Sequence, residues 1–510
     1  MTDAALEARE GEARTSKLLF EGADWSFPLL QTVYEAVQKV ALEDLGLNVF
    51  PNQIEVISAE QMLDAYSSVG MPLMYSHWSF GKRFVRDEML YRKGYQALAY
   101  EIVINSNPCI SYYMEENSMA MQTLVLAHAA FGHNHFFKNN YLFQQWTDPN
   151  GILDYLEFAK RYVAECEEKH GQEAVESVLD AAHALQNQSV FRYRRATKLK
   201  LSEYEARHRE RLANAQASYS DLWRTVPRSR KNKEPTQAEK EAAERMLRHR
   251  LPEENLLYFL EKNSPTLQPW QRELLRIVRN VAQYFYPQRQ TKLMNEGCAT
   301  FVHYHIVNEL YERGLISEGA LMEILHSHSN VVYQTDFDHP HHSGMNPYAL
   351  GFAMMQDIQR ICVAPTDEDR EWFRDIAGCE DWRGALREIW ANYRDESFVR
   401  QYLSPHLMRK FKLFVLSDKA ADSEYNIEAI HDAEGYRRVR NALADTYDVG
   451  ARDPDIQVVD VDLLGDRKLI LTHKRRNKVP LAEGDRDKVM RHVKRLWGYD
   501  AVLNEEDAEG

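Results

Sequence analysis

The sequence predicts an α+β fold: a large, mainly α-helical domain followed by a small C-terminal α/β domain. Three observations carry this. Before about residue 400, long stretches repeat apolar residues at helical spacing. After about residue 405, short strand-like runs and amphipathic runs follow in a ββαββα order. A chain of 510 residues, 44% hydrophobic and 27% charged, can also bury a large core with no help from disulfides or metal.

Residues 1–15 read as a loose tail and 16–404 as the helical domain. "WSFPLLQTVYEAVQKVALEDLGL", from Trp25, has helical spacing and closes at a glycine. "SSVGMPLMYSHWSFGKRF" (67–84) lacks the G-x-x-x-x-G-K-[ST] spacing of a P-loop and reads as an ordinary loop or a substrate- or partner-binding one. "QALAYEIVIN" (96–105) is strand-like, and "SNP" turns the chain after it. Residues 109–131 read as one long buried helix, and 151–186 as one or two amphipathic helices. The stretch 194–250 is charged and poor in large apolar groups, either a solvated helix with a linker or a docking arm. "ENLLYFLEKN", "WQRELLRIVRNVAQYF" and "NEGCATFVHYHIVNELYERG" return to buried helical pattern, with Gly314 as a candidate cap. The small domain spans 405–510. Its strands are "FKLFVLSD", "YNIEAIHD", "DIQVVDVDL" and "RKLILTHKR", and its helices "EGYRRVRNALADTYD" and "DKVMRHVKRLW".

Lys and Arg number 63 against 77 Asp and Glu, a net charge of −14. That excludes a global pull toward nucleic acid or anionic lipid. The five cysteines (Cys109, Cys166, Cys298, Cys362 and Cys379) are scattered and form no C-x-x-C, as suits free thiols in a reducing compartment. The polar N-terminus has no apolar signal-peptide core, and no stretch approaches the ~18 apolar residues of a membrane span. The expected location is cytoplasmic.

Two histidine-bearing stretches could carry chemistry. In "LAHAAFGHNHFF" (126–137), a regular helix turns ~100° per residue, so His128 and His133 lie ~140° apart. A π-bulge or break at Gly132 would bring this i, i+5 pair together, and such bulges favour functional sites. His128 and His135, at i and i+7, share a face without any bulge, and spacing does not choose between the pairs. In "MNEGCATFVHYH", Glu296 and His303 are ~20° from eclipsed and share a face with Ala299 and Thr300, while His305 points away. His128, His133, Glu296 and His303 are thus an adequate set for Zn²⁺, Fe²⁺ or Mn²⁺. Glu296 would act as ligand or general base, and His303 as ligand or outer partner. The competing reading is a core with hydrogen-bonded histidines. "FGHN" with the downstream "NEG-A" resembles part of a zinc-peptidase pattern, but Ala129 and Ala130 stand where the first His and the Glu of H-E-x-x-H would be. No complete catalytic motif is present, so enzymatic activity stays open. A third cluster, "HSHSNVVYQTDFDHPHH" (326–342), reads as a polar loop over a cleft, with Tyr348 and Gln356 as candidate lining groups.

"NQIEVISAEQMLDAYSSVGMP", "HWSFGK", "AYEIVINSNPCISYYMEEN", "AHAAFGHNHFFKNNYLF", "MNEGCATF", "HSHSNVV", "NPYALGFAMMQDI" and "DIAG" occur in that order. From about residue 20 to 500 the chain resembles the SpoVR family, the stage V sporulation protein R family. The resemblance implies a regulatory role in a stress, stationary-phase or sporulation pathway linked to spore cortex or peptidoglycan assembly. It implies a PrkA-type serine kinase and a von Willebrand factor A-like protein as partners. It supplies no catalytic residues, and a metal-dependent hydrolase with a His/Glu site between two helices is the alternative.

Overall fold

A computed structural model of the chain describes residues 18–68, 71, 73–92, 100–192, 251–337, 339, 342, 344–417, 426–429, 431–461, 465–476 and 479–507. The charged stretch expected at 194–250 lies outside them. The chain divides into two compact units, one from Met1–Glu165 with Tyr284–Val449, the other from Cys166–Gln283 with Gly450–Gly510. The residues grouped from 405 onward in the sequence reading therefore divide after Val449. The mainly helical character and the small C-terminal mixed sheet are both present.

In the first unit, strands β1 (Asn52–Ile57), β2 (Glu101–Ile104) and β3 (Cys109–Met114) form a sheet in the order β1-β3-β2. β3 runs parallel to β1 and antiparallel to β2. The expected helix over 109–131 is corrected here: residues 109–114 are the central strand, and helix begins only at Met119. "CISYYM" is buried on both faces, and an apolar run of that kind has no periodicity to separate strand from helix. The 67–84 stretch is likewise partly helical, because a helix starts at Trp78 and runs to Arg92. The first helix, Phe27–Lys39, starts at the Ser26 cap, and the chain turns at Gly46, whose φ of +64° favours glycine.

Three helical segments pack around the centre of this unit. A continuous rod runs from Met119–Val125 through a π-helix, Leu126–His133, into Asn134–Asn139. The Lys292–Glu312 helix is enclosed by its neighbours over most of its length, and its buried residues include the polar Asn295, Thr300 and His303. The Pro347–Val363 helix crosses it at glycines: a Cβ on Gly297 would lie 2.7 Å from the backbone of Gly351. The π-helix approaches the same central helix through Gly132, where a Cβ would stand 2.5 Å from the Ala299 Cα.

The remaining strands follow the expected order. β4 (Val415–Ser417) and β5 (Asn426–Ala429) pair antiparallel ahead of the Ala433–Tyr447 helix in the first unit. In the second unit, β6 (Asp455–Val461) and β7 (Leu469–Arg475) pair antiparallel, and the Glu483–Trp497 helix follows. One strand was not anticipated: β8 (Ala501–Asp507) lies parallel to β7. Its sequence, "AVLNEED", ends in acidic residues and reads as a tail until β7 supplies its hydrogen bonds.

Candidate metal centre

The histidines owe their placement to the π-helix. Its i→i+5 pitch stacks residues five apart, and the Asn134 N–H reaches the Ala129 carbonyl in that pattern. His128 and His133 therefore come together, their ring centroids 4.6 Å apart and nearly perpendicular. This resolves the alternative that spacing left open. His135 turns away, with its Nδ1 accepting the Asn48 N–H at 2.9 Å and its ring edge-on to Trp390.

Two carboxylates face the pair. Glu296 comes from the Lys292–Glu312 helix, with its Oε2 3.8 Å from His128 Nε2 and 3.6 Å from His133 Nε2. Glu101 opens β2, where strand alternation buries Ile102 and Ile104 and turns the carboxylate to the other face. Its Oε1 is 3.7 Å from His128 Nε2. Glu101, His128 and His133 each offer a ligand atom within 4.8 Å of the others, a group able to hold a metal ion. Side-chain exposure is 19% for Glu101 and 17% for Glu296, against 6% for His128 and 9% for His133.

The outer layer sets which nitrogen faces inward. His133 Nδ1 meets Asn295 Oδ1 at 2.9 Å, so it donates and leaves the Nε2 lone pair free. His128 Nδ1 meets His303 Nδ1 at 2.9 Å, and His303 Nε2 meets His328 Nδ1 at 2.9 Å. In one register of this three-ring chain every ring donates outward, and His128 Nε2 is again a free lone pair. His303 thus sits behind His128, on the side away from the carboxylates. His305 stacks on Trp382, away from the site, as its spacing indicates.

Burial and charge act in opposition here. Burial pushes His133 and His328 each down to about 4 and His303 well below its ordinary value. Burial also works against the His128 cation, but the Glu296 and Glu101 carboxylates outweigh it and raise His128. Burial raises Glu101. It would raise Glu296 too, yet His128, His133 and the Tyr348 hydroxyl hold that carboxyl below its usual range. Behind Glu296, both Asp395 oxygens accept the Leu293 and Met294 N–H groups at 2.9 Å and fix the start of its helix, while burial pushes the Asp395 carboxyl up to about 7.

The four residues singled out in the sequence, His128, His133, Glu296 and His303, are thus neighbours, in two layers. Glu101, Asn295 and the role of His328 escaped sequence reasoning. For Glu101 one signal existed: it is the single charge in "AYEIVIN". Of the third cluster, His328 joins the site, His326 is exposed near Asn330, and Asp338 and His341 lie outside the described residues.

Comparison with known proteins matches a family model described as "SpoVR like protein" to residues 24–452 and one described as "SpoVR-like C-terminal domain" to residues 454–508. A relative from Escherichia coli (strain K12), "Uncharacterized protein YcgB", is 52% identical over 492 residues, covering 96% of this chain and 94% of the relative. No solved structure matches. Among the described residues no helix is long and apolar enough to cross a membrane.

Proposed function

The chain belongs to the SpoVR-like family, and we propose that its buried His/Glu cluster is the active site of a metal-dependent hydrolase. The observation that carries this is Glu296 Oε2, which is buried with no hydrogen-bond partner, yet lies 3.6 and 3.8 Å from two imidazole nitrogens. These separations are too long for hydrogen bonds. Two ligand atoms each about 2.1 Å from one tetrahedral ion would lie about 3.4 Å apart, so an ion accounts for the spacing. A buried oxygen left unpaired calls for such a partner.

His128 Nε2, His133 Nε2 and Glu296 Oε2 are the ligands in this reading, and Zn²⁺, Fe²⁺ or Mn²⁺ suits two imidazoles and a carboxylate. A bound ion of this kind would supply an activated water as nucleophile near neutral pH. Glu101, raised by burial, faces His128 from β2 and would serve there as general base and acid, accepting a proton and holding it for a leaving group. Tyr348, beside Glu296, can orient a substrate oxygen. The absence of H-E-x-x-H is consistent with this. H-x-x-x-x-H has one residue more between its histidines than H-x-x-x-H, the π-helix absorbs it, and the carboxylate comes from a strand instead of the same helix.

Plasma mass spectrometry of untagged protein tests the site. About one equivalent of Zn, Fe or Mn is expected in the wild type and none in His128→Ala or Glu296→Ala. A folded wild type with no metal above background counts against it. Glu101→Gln separates the roles: retained metal with lost hydrolysis, screened on peptides and peptidoglycan fragments, supports the base, and lost metal makes Glu101 a ligand. The kinase and stress-pathway context expected from the resemblance is compatible with this chemistry. It is tested separately, by co-purification with the kinase.

A further inference from the structure

A second feature of the first unit has no part in the metal centre. The segment Glu371, Trp372 and Arg374, Arg400 of the Asp395–Tyr402 helix, and Arg437, Arg440 and Asn441 of the Ala433–Tyr447 helix line an open cleft of about 430 Å³. That volume falls within the range of small-molecule sites. Four guanidiniums face one carboxylate in a chain whose net charge is −14, so the cleft is a local inversion of the protein's charge.

The four arginines are not equally engaged. Arg400 is neutralised by Glu396 at 2.6 Å and Asp445 at 2.7 Å. Arg440 gives its Nε and Nη2 protons to the Leu403 carbonyl, at 2.9 and 2.6 Å, and lies over Trp372 at 4.5 Å from the ring centroid. Burial, with Arg437 adding, pushes Arg440 down to about 10, so the cation there lacks compensation. Arg437 stands one helical turn before it, over the same ring at 5.9 Å. Among the described residues neither Arg437 nor Arg374 has an ion-pair partner.

Like charges one helical turn apart repel each other, and an anion bound between them would relieve that repulsion. The guanidinium fork matches phosphate oxygens in bidentate geometry. We propose that this cleft is a binding site for a phosphate-bearing small molecule, held by Arg374, Arg437 and the free Nη1 of Arg440.

Isothermal titration with sodium pyrophosphate, at constant ionic strength, tests it on the full chain. Saturable one-to-one binding is expected, weakened at least tenfold in the R374Q/R437Q double variant and tightened in Glu371→Gln, which removes the opposing carboxylate. If the double variant fails to fold, R374Q alone, a change at an exposed side chain, is expected to weaken binding several-fold. No saturable binding, or wild-type affinity in these variants, overturns the proposal. Citrate binding more tightly than pyrophosphate would also overturn it, by making the site one for polycarboxylates.

Discussion

His303→Phe separates a ligand from a positioning residue. In the metal-bound state His128 must keep its proton on Nδ1, because Nε2 gives its lone pair to the ion. His303 Nδ1, 2.9 Å away, is the acceptor for that proton. With phenylalanine in its place the N–H is buried and unpaired, at a cost of ~1–3 kcal/mol. The metal-free state can relieve the cost by giving up the Nδ1 proton and keeping one on Nε2, where the Glu101 and Glu296 carboxylates attract it through charge from 3.7 and 3.8 Å. The bound state has no such choice, so the penalty falls mainly on it, and metal affinity should drop about 10- to 100-fold, the range known for outer-layer partners of metal-bound histidine. Competition against a chromophoric chelator measures it, with circular dichroism and the melting temperature confirming the fold. His128→Ala, which removes a ligand, sets the upper end of the scale. Affinity within twofold of wild type in a folded His303→Phe variant would refute the tautomer argument. A loss as large as that of His128→Ala would make His303 a ligand and overturn the two-layer order.

Gly132→Ala places a methyl group 2.5 Å from the Ala299 Cα, where backbone and not a flexible side chain must yield. It should cost about 1–3 kcal/mol in urea unfolding and reduce bound metal, because the π-helix must withdraw from the helix carrying Glu296. Metal affinity should fall as pH drops through the raised pKa of His128, with proton release on metal binding that grows as pH is lowered, read by calorimetry in buffers of different ionisation enthalpy. His133, at about 4, joins that competition only in much stronger acid. Away from the site, Asp369 is buried, which opposes its charge, but Arg360 grips both its oxygens at 2.6 and 2.9 Å and Thr366 donates to it, holding its pKa at about 2. A depressed carboxyl stabilises the fold above its ordinary pKa and loses that effect as pH falls toward 2. Asp369→Asn should therefore cost about 2 kcal/mol at pH 7, with the gap closing in acid denaturation curves below about pH 4.

What could be read from the chain depended on whether the signal was local. The i, i+5 separation of His128 and His133 carries its own geometric condition, because only a π pitch stacks that spacing, and the π-helix is there. Glu296 and His303 share one unbroken helix, so their common face was legible as well. The strand at 109–114 was not, since a segment enclosed on both faces loses the alternation that marks a strand. Glu101 was missed for a related reason. Its importance comes from β2 pairing with β3 in a register set Glu101 opposite Tyr113, a long-range fact with no counterpart in local spacing.

The same contrast explains why the centre lacks a recognisable motif. A motif is legible when one helix supplies the ligands and the base together. Here the π-helix supplies two imidazoles, the Lys292–Glu312 helix a carboxylate, and β2 a second carboxylate. Their convergence rests on places where the backbone itself comes close: Gly132 against Ala299, and Gly297 against Gly351. The small residues in "AFGHN", "NEGCAT" and "ALGFAM" thus belong to the candidate site as much as the histidines do. Without them the helices would stand apart by the width of a side chain, and Glu296 Oε2 would no longer lie within one ion's reach of both imidazoles.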